Sequence, residues 1–212
     1  MTTFKQSTIA FNQHALQPSK VVCVGRNYAA HIAELNNETP NEPVIFIKPN
    51  SAISHSLQTH PKDEIHYEAE LALLIQNYSI AGIGIGLDLT KRDIQTRLKE
   101  KGLPWERAKA FDASVVFTDF VTAPNKLDGI SFSLHINSEL VQEGSYELMI
   151  NKPARLLADI TSFMRLIDND IVLTGTPKGV GVVNKDDEFV VRLYQSVNHT
   201  KVELLTHTWL AK

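Results

Sequence analysis

Most of the chain is a succession of short apolar runs rich in β-branched residues, set apart by turn residues and interrupted by a few stretches of helical period. A strand is predicted at 8–11 and a turn at Pro18 and Ser19. A strand at 21–24, Val-Val-Cys-Val, is apolar without alternation, as a strand buried on both faces is. It stops at Gly25-Arg26-Asn27, and residues 28–35 fit two turns of helix. Residues 36–43 are polar with two prolines and read as a loop able to cover a neighbouring site. A strand at 44–47 leads into a polar stretch to 64, where His55 and His60 read as surface residues. From His66 the chain runs His-Tyr-Glu-Ala-Glu into the apolar residues 71–75, a further strand. Residues 80–89 alternate glycine with apolar positions, the mark of a strand that another segment must approach closely. A helix over 90–101 is closed by Gly102 and Pro104. Beyond it come strands at 115–121, 130–137, 139–142, 171–174, 188–193 and 202–210, with one helix around 154–163. The pattern predicts an α+β, β-rich chain, a single domain over 1–212 with a few helices packed on sheet.

Composition narrows the classes of function. Lys and Arg number 21 against 24 Asp and Glu, a formal net charge of −3, which gives no electrostatic footprint for nucleic acid or an anionic membrane. No apolar run reaches membrane-spanning length, and the opening residues lack the basic and apolar segments of a leader, so a cytoplasmic protein is expected. Cys23 is the only cysteine, so an intrachain disulfide is impossible, and it reads as a small buried hydrophobe.

Two patterns carry possible chemistry. If residues 66–70 form a strand, its period of two sets His66, Glu68 and Glu70 on one face. Two carboxylates held side by side repel unless a cation, a shared proton or water separates them, and a hard divalent ion answers that need. A half-exposed strand with acids on its wet face is the alternative. On the helix at 28–35, His31 and Glu34 are three apart and share a face, so that the carboxylate can orient the imidazole as a general base requires. A solvated helix face would show the same spacing. The stretch from Leu173 to Gly181 (Leu-Thr-Gly-Thr-Pro-Lys-Gly-Val-Gly) lacks the order of a nucleotide-binding loop. Its backbone N–H groups and the hydroxyls of Thr174 and Thr176 suit a small carboxylate, and a plain turn between strands suits it equally.

Taken together these segments resemble the fumarylacetoacetate hydrolase family, in its small single-domain acylpyruvase-like branch. The resemblance runs through Val24-Gly-Arg-Asn-Tyr28 with His31 and Glu34, Glu42-Pro-Val-Ile-Phe-Ile-Lys-Pro49, and His66-Tyr-Glu-Ala-Glu-Leu71. It continues in Leu87-Asp-Leu-Thr-Lys-Arg-Asp93, Lys101-Gly-Leu-Pro-Trp105, Ala108-Lys-Ala-Phe111 and the 173–181 stretch. It implies a mixed β-roll or sandwich with flanking helices, in a homodimer. It also implies Glu68, Glu70 and Asp88 as ligands of Mg²⁺ or Mn²⁺, and His31 with Glu34 as a water-activating dyad on a segment that orders over substrate. Lys109 and Gln95 match positions contacting the substrate or its developing charge, Thr174 and Thr176 those holding its carboxylate, and Arg26 a possible ligand contact. One departure is plain: the chain between Glu70 and Asp88 is shorter than in relatives, which usually carry an additional helical segment there.

The activity so implied is hydrolysis of a carbon–carbon bond in a 2,4-dioxo acid, releasing pyruvate and a carboxylic acid, with a small 2-oxo acid as the partner molecule. The same cage serves an oxaloacetate decarboxylase or tautomerase, or an isomerase or decarboxylase of 2-oxo acids from aromatic catabolism. A non-catalytic 2-oxo-acid-binding protein is the alternative of another class.

Overall fold

A computed structural model describes residues 6–36, 38–60 and 62–212. The opening residues, and Asn37 within the expected loop, lie outside the described residues. The largest sheet has eight strands. From one edge it runs β4 (Val44–Pro49), β3 (Lys20–Gly25), β14 (Ile171–Leu173), β7 (Ala69–Gln76), β8 (Ser79–Asp88), β10 (Val115–Phe117) and β5 (Ile53–Ser54), with β11 (Val121–Thr122) beside β8. It is mixed: β3 and β14 are parallel, as are β10 and β5, and the other pairs are antiparallel. A second, antiparallel sheet runs β13 (Glu139–Ser145), β12 (Ile130–Ile136), β16 (Glu188–Val197), β17 (Thr200–Leu210). The short strand β6 (Ile65–Tyr67) lies between β15 (Gly181–Val182) and β9 (Thr90–Lys91), and β1 (Ile9–Phe11) pairs with β2 (His14–Leu16). The strand-rich roll with flanking helices is therefore present.

Side-chain alternation explains the continuous apolar runs. In β7, Leu71, Leu73 and Ile75 join Val22, Val24, Ile83 and Ile85 in a core shared with Phe132, Val191 and Leu193 of the second sheet. Ala72 and Leu74, on the opposite face, join Val21, Cys23, Leu173 and Phe120 in a second core. Cys23 is thus buried among apolar side chains, as expected. On β8 the face carrying Gly82, Gly84 and Gly86 is the one pressed by the second core, where a Cβ on Gly86 would lie 2.8 Å from both Leu173 and Phe117. Asp88 is next on that face.

Helix α1 (Ala29–Glu34), α2 (Arg92–Glu100) and α3 (Glu106–Lys109) gather at one end of the large sheet, and α4 (Pro153–Phe163) buries Leu156 and Ile160 in the first core. The expected helix at 90–101 begins two residues late because Thr90 and Lys91 pair with β6. The expected strand at 115–121 is two strands, and the stretch 66–75 is also broken. At Glu68 the chain leaves β15 and β9 and joins β14 and β8, so Glu68 sits where it changes sheets. The short connection between Glu70 and Asp88 is a direct hairpin whose two turn residues, Asn77 and Tyr78, take φ of 50° and 59°.

Candidate active site

Glu68, Glu70 and Asp88 converge through sheet register. Glu68 and Glu70 are two apart on one face, and Asp88 N donates to Glu68 O at 2.9 Å, which sets the aspartate beside them. One oxygen of each lies within 4.8 Å of the others, and all three residues are buried. Such an all-oxygen donor set suits a hard divalent cation and could hold one.

Cations already surround this group. Lys109 Nζ donates to Glu68 Oε2 at 2.9 Å, Asp88 Oδ2 at 2.7 Å and Thr90 Oγ1 at 2.5 Å. Arg92 reaches Glu68 Oε1 at 2.5 Å and Gln95 Oε1 at 2.9 Å. Lys48, fully buried on β4, lies 2.9 Å from Asp88 Oδ1 at an angle that makes an ion pair and no hydrogen bond, and it donates to the carbonyls of Leu89 and Lys109. Asp88 Oδ1 therefore keeps acceptor capacity in a dry place. Among the described residues Glu70 makes no ion pair, and its Oε2 accepts the Gly175 N–H at 2.6 Å.

The protonation states follow from this inequality. Burial opposes charge on Glu68, but Lys109, Arg92 and His31 outweigh it and hold its carboxyl well below the usual range. Burial, with Asp88 and Glu68 adding to it, pushes Glu70 well above that range. Burial likewise works against the Lys109 ammonium, yet Asp88 and Glu68 raise its pKa. The carboxylate with no ion pair among the described residues is thus the one whose pKa is raised.

His31 opens onto the same cleft and is buried at its wall. Its Nδ1 is 3.0 Å from Glu34 Oε2, while Glu34 Oε1 accepts the Gly179 N–H at 2.9 Å. The imidazole is thus fixed at one nitrogen. Gln95, Lys109, Arg26 and Thr176 also line the cleft. Arg26 has φ of 57°, a left-handed conformation that costs an arginine about 1–2 kcal/mol. That turn sends Asn27 inward, where its side chain joins the backbone of Asn151 and Thr174. Thr174 stands outside the cleft lining with its hydroxyl on Leu71 O, and the Thr176 hydroxyl donates to Ala69 O. The N–H groups of this loop, expected to suit a small carboxylate, are at Gly175 and Gly179 taken by the protein's own Glu70 and Glu34.

Sequence reasoning gave no role to several residues lining the cleft or buried beside it. Arg92 and Lys99 share with Gln95 the spacing i, i+3, i+7 on α2, and that period was the available signal. Lys48 is two residues from Phe46 on one face of a strand, a charge where an apolar side chain is the rule. Phe46 and Trp105 form the aromatic part of the wall, beside Val24 and Leu35.

The fumarylacetoacetate (FAA) hydrolase C-terminal family matches residues 20–204. The chain belongs to this family. Among family members, it is 43% identical over 191 residues to the oxaloacetate tautomerase YcgM of Escherichia coli, covering 82% of this chain and 87% of that one. Against the human mitochondrial oxaloacetate tautomerase FAHD1 it is 37% identical over 205 residues, 86% of this chain and 91% of that one. A solved structure from Oleispira antarctica in the fumarylacetoacetate isomerase/hydrolase group superposes with a TM-score of 0.91 at 37% identity, covering 97% of this chain and all of that one. The fumarylpyruvate hydrolase of Pseudomonas aeruginosa, in complex with Mn²⁺ and pyruvate, gives 0.87 at 27% identity, covering 100% and 97%. Among the described residues no helix is long and apolar enough to cross a membrane.

Proposed function

We propose that this family member is a divalent-metal-dependent tautomerase that interconverts the enol and keto forms of oxaloacetate. The observation that carries the reading is that His31, held by Glu34, faces the same cleft as the Glu68, Glu70 and Asp88 carboxylates. Its relatives named as oxaloacetate tautomerases support the choice of substrate.

Conversion of enol to keto breaks the O–H bond at C2 and forms a C–H bond at C3, so no water is consumed. It needs one group that gives and takes a proton near neutral pH. His31 is that group in this reading: Glu34 holds Nδ1, leaving Nε2 to exchange a proton with C3. Lys109, Arg92 and Gln95 place positive potential and hydrogen bonds around the oxygen at C2. Arg26 and Thr176 border the substrate. Mg²⁺ or Mn²⁺, held by Glu68, Glu70 and Asp88, would supply Lewis acidity toward the oxo and carboxylate oxygens.

Hydrolysis of a 2,4-dioxo acid is the second reading, favoured by the likeness to the fumarylpyruvate hydrolase structure. There His31 would take a proton from water instead of exchanging one with carbon. The deciding experiment follows the loss of enol oxaloacetate absorbance and the release of pyruvate from acetylpyruvate, each with Mg²⁺ and with chelator. Metal-dependent ketonisation faster than pyruvate release supports the tautomerase. Rapid acetylpyruvate cleavage with no effect on the enol would replace it by the hydrolase, and inertness toward both would leave a binding protein.

A further inference from the structure

Among the described residues four cations line the cleft, and they differ in what they hold. Lys109 is tied to Glu68 and Asp88, and Arg92 to Glu68 and Gln95. Arg26 reaches the Glu38 carbonyl at 3.4 Å. Lys99 has neither an ion pair nor a hydrogen bond among the described residues. Its ammonium instead stands over the indole of Trp105, 5.2 Å from the ring centroid. It is half-buried on the α2 face that also presents Arg92 and Gln95, at the rim, whereas Glu70, Asp88 and Lys109 form the floor. An ammonium without a counter-ion, beside other cations and partly out of water, is an unfavourable arrangement that an anionic ligand group would relieve.

We propose that Lys99, seated over Trp105 at the rim, is the specificity-determining cation that receives the far carboxylate of a four-carbon 2-oxo dicarboxylic acid. It thereby separates such dianions from 2-oxo acids whose far end is neutral. This rests on the tautomerase reading. Phe46 and Trp105 supply the apolar wall between floor and rim, their rings 5.9 Å apart, and a ligand spanning them needs a charge at each end.

A pH signature accompanies the geometry. Burial first, and then Arg26 and Arg92, bring the Lys99 ammonium down to about 8, with Lys109 adding to the fall and Glu68 opposing it. A depressed lysine is charged below that value and neutral above it, so affinity for the far carboxylate is lost as pH rises through about 8.

The test compares malate with lactate, which lacks the far carboxylate, by calorimetric binding to the full chain with Mn²⁺ at pH 7 and pH 9. Wild type is expected to prefer malate about tenfold at pH 7, the worth of one charge-assisted hydrogen bond, and to lose most of that preference at pH 9. K99Q should bind both with the lactate affinity at either pH, and K99R should restore the preference and keep it at pH 9. Thermal unfolding of each variant beside wild type confirms an intact fold. A malate preference that survives in K99Q overturns the proposal, as does an equal loss of malate and lactate binding. Because neither probe is turned over, this outcome stands apart from the oxaloacetate assay: absence of ketonisation refutes the tautomerase reading, whereas an unchanged malate preference refutes only the role of Lys99.

Discussion

The backbone N–H of Gly175 donates to Glu70 Oε2 at 2.6 Å, so a loop remote in sequence orients the carboxylate of the triad that makes no ion pair among the described residues. Gly175 has φ of +92°, and a Cβ there would come within 2.8 Å of Asn27 Cβ. Both facts forbid a larger residue. Gly175→Ala should lower stability by about 2–4 kcal/mol, adding left-handed backbone strain to overpacking, and should weaken Mn²⁺ binding because Glu70 swings free. Urea unfolding and metal titration check it, and a variant with wild-type metal affinity would mean that the N–H does not position Glu70.

Glu70 also sets a pH dependence. Its pKa is raised in the folded protein, so the native state holds a proton that the unfolded chain has already released above the ordinary carboxylate range. The stability it contributes is complete below the unfolded value and declines as pH rises toward the folded one. With chelator present, wild type should therefore lose stability relative to Glu70→Gln as pH is raised above about 4.5. Parallel Tm-against-pH curves would show that the Glu70 proton has no such role.

Two pairs of this site could be read from the chain because they rest on local periodicity, and the rest came from the resemblance of the segments to a family. Period two placed Glu68 and Glu70 side by side, and the spacing of His31 and Glu34 allowed their 3.0 Å contact, whereas Asp88 joined the carboxylates only through the family resemblance. What escaped is what depends on partners distant in sequence. The break at Glu68 arises because the strand changes neighbours there, and nothing within the segment states which neighbours it has. The N–H groups of Gly175 and Gly179 could have met a ligand or the protein itself, and only the packing of the loop against Asn27 and Val141 turns them to Glu70 and Glu34. Lys48 and Lys99 stood within recognisable segments, but a lysine in a strand or helix is ordinarily a solvated one.

Lys48 compensates Asp88 from inside the core, and its removal would leave that aspartate with Lys109 alone. Lys48→Met keeps the length and apolar stem of the side chain but strips the charge. Loss of one partner of a buried pair costs about 3–5 kcal/mol, so the metal-free variant should unfold well below wild type. A divalent ion supplies the missing positive charge beside Asp88, and the rise in Tm on adding Mn²⁺ should be larger in the variant than in wild type. Equal increments would place the ion away from Asp88.

His31 and Glu34 separate proton exchange from metal binding. Neither supplies a carboxylate to the triad, and Glu34 faces the imidazole and Gly179. His31→Gln should reduce enol-to-keto turnover by about 10²–10⁴-fold, the usual contribution of a general acid–base group, and leave Mn²⁺ affinity close to wild type. Glu34→Gln should fall less far, because the amide can still accept a hydrogen bond from Nδ1 while the charge that stabilises the imidazolium is gone. The two losses should not add in the double variant, since Glu34 acts through His31. Turnover by stopped-flow absorbance and metal affinity by calorimetry measure both halves. Additive losses would mean that Glu34 acts on the reaction by a route other than the histidine, and a His31→Gln variant with full turnover would move the proton exchange to another residue of the cleft.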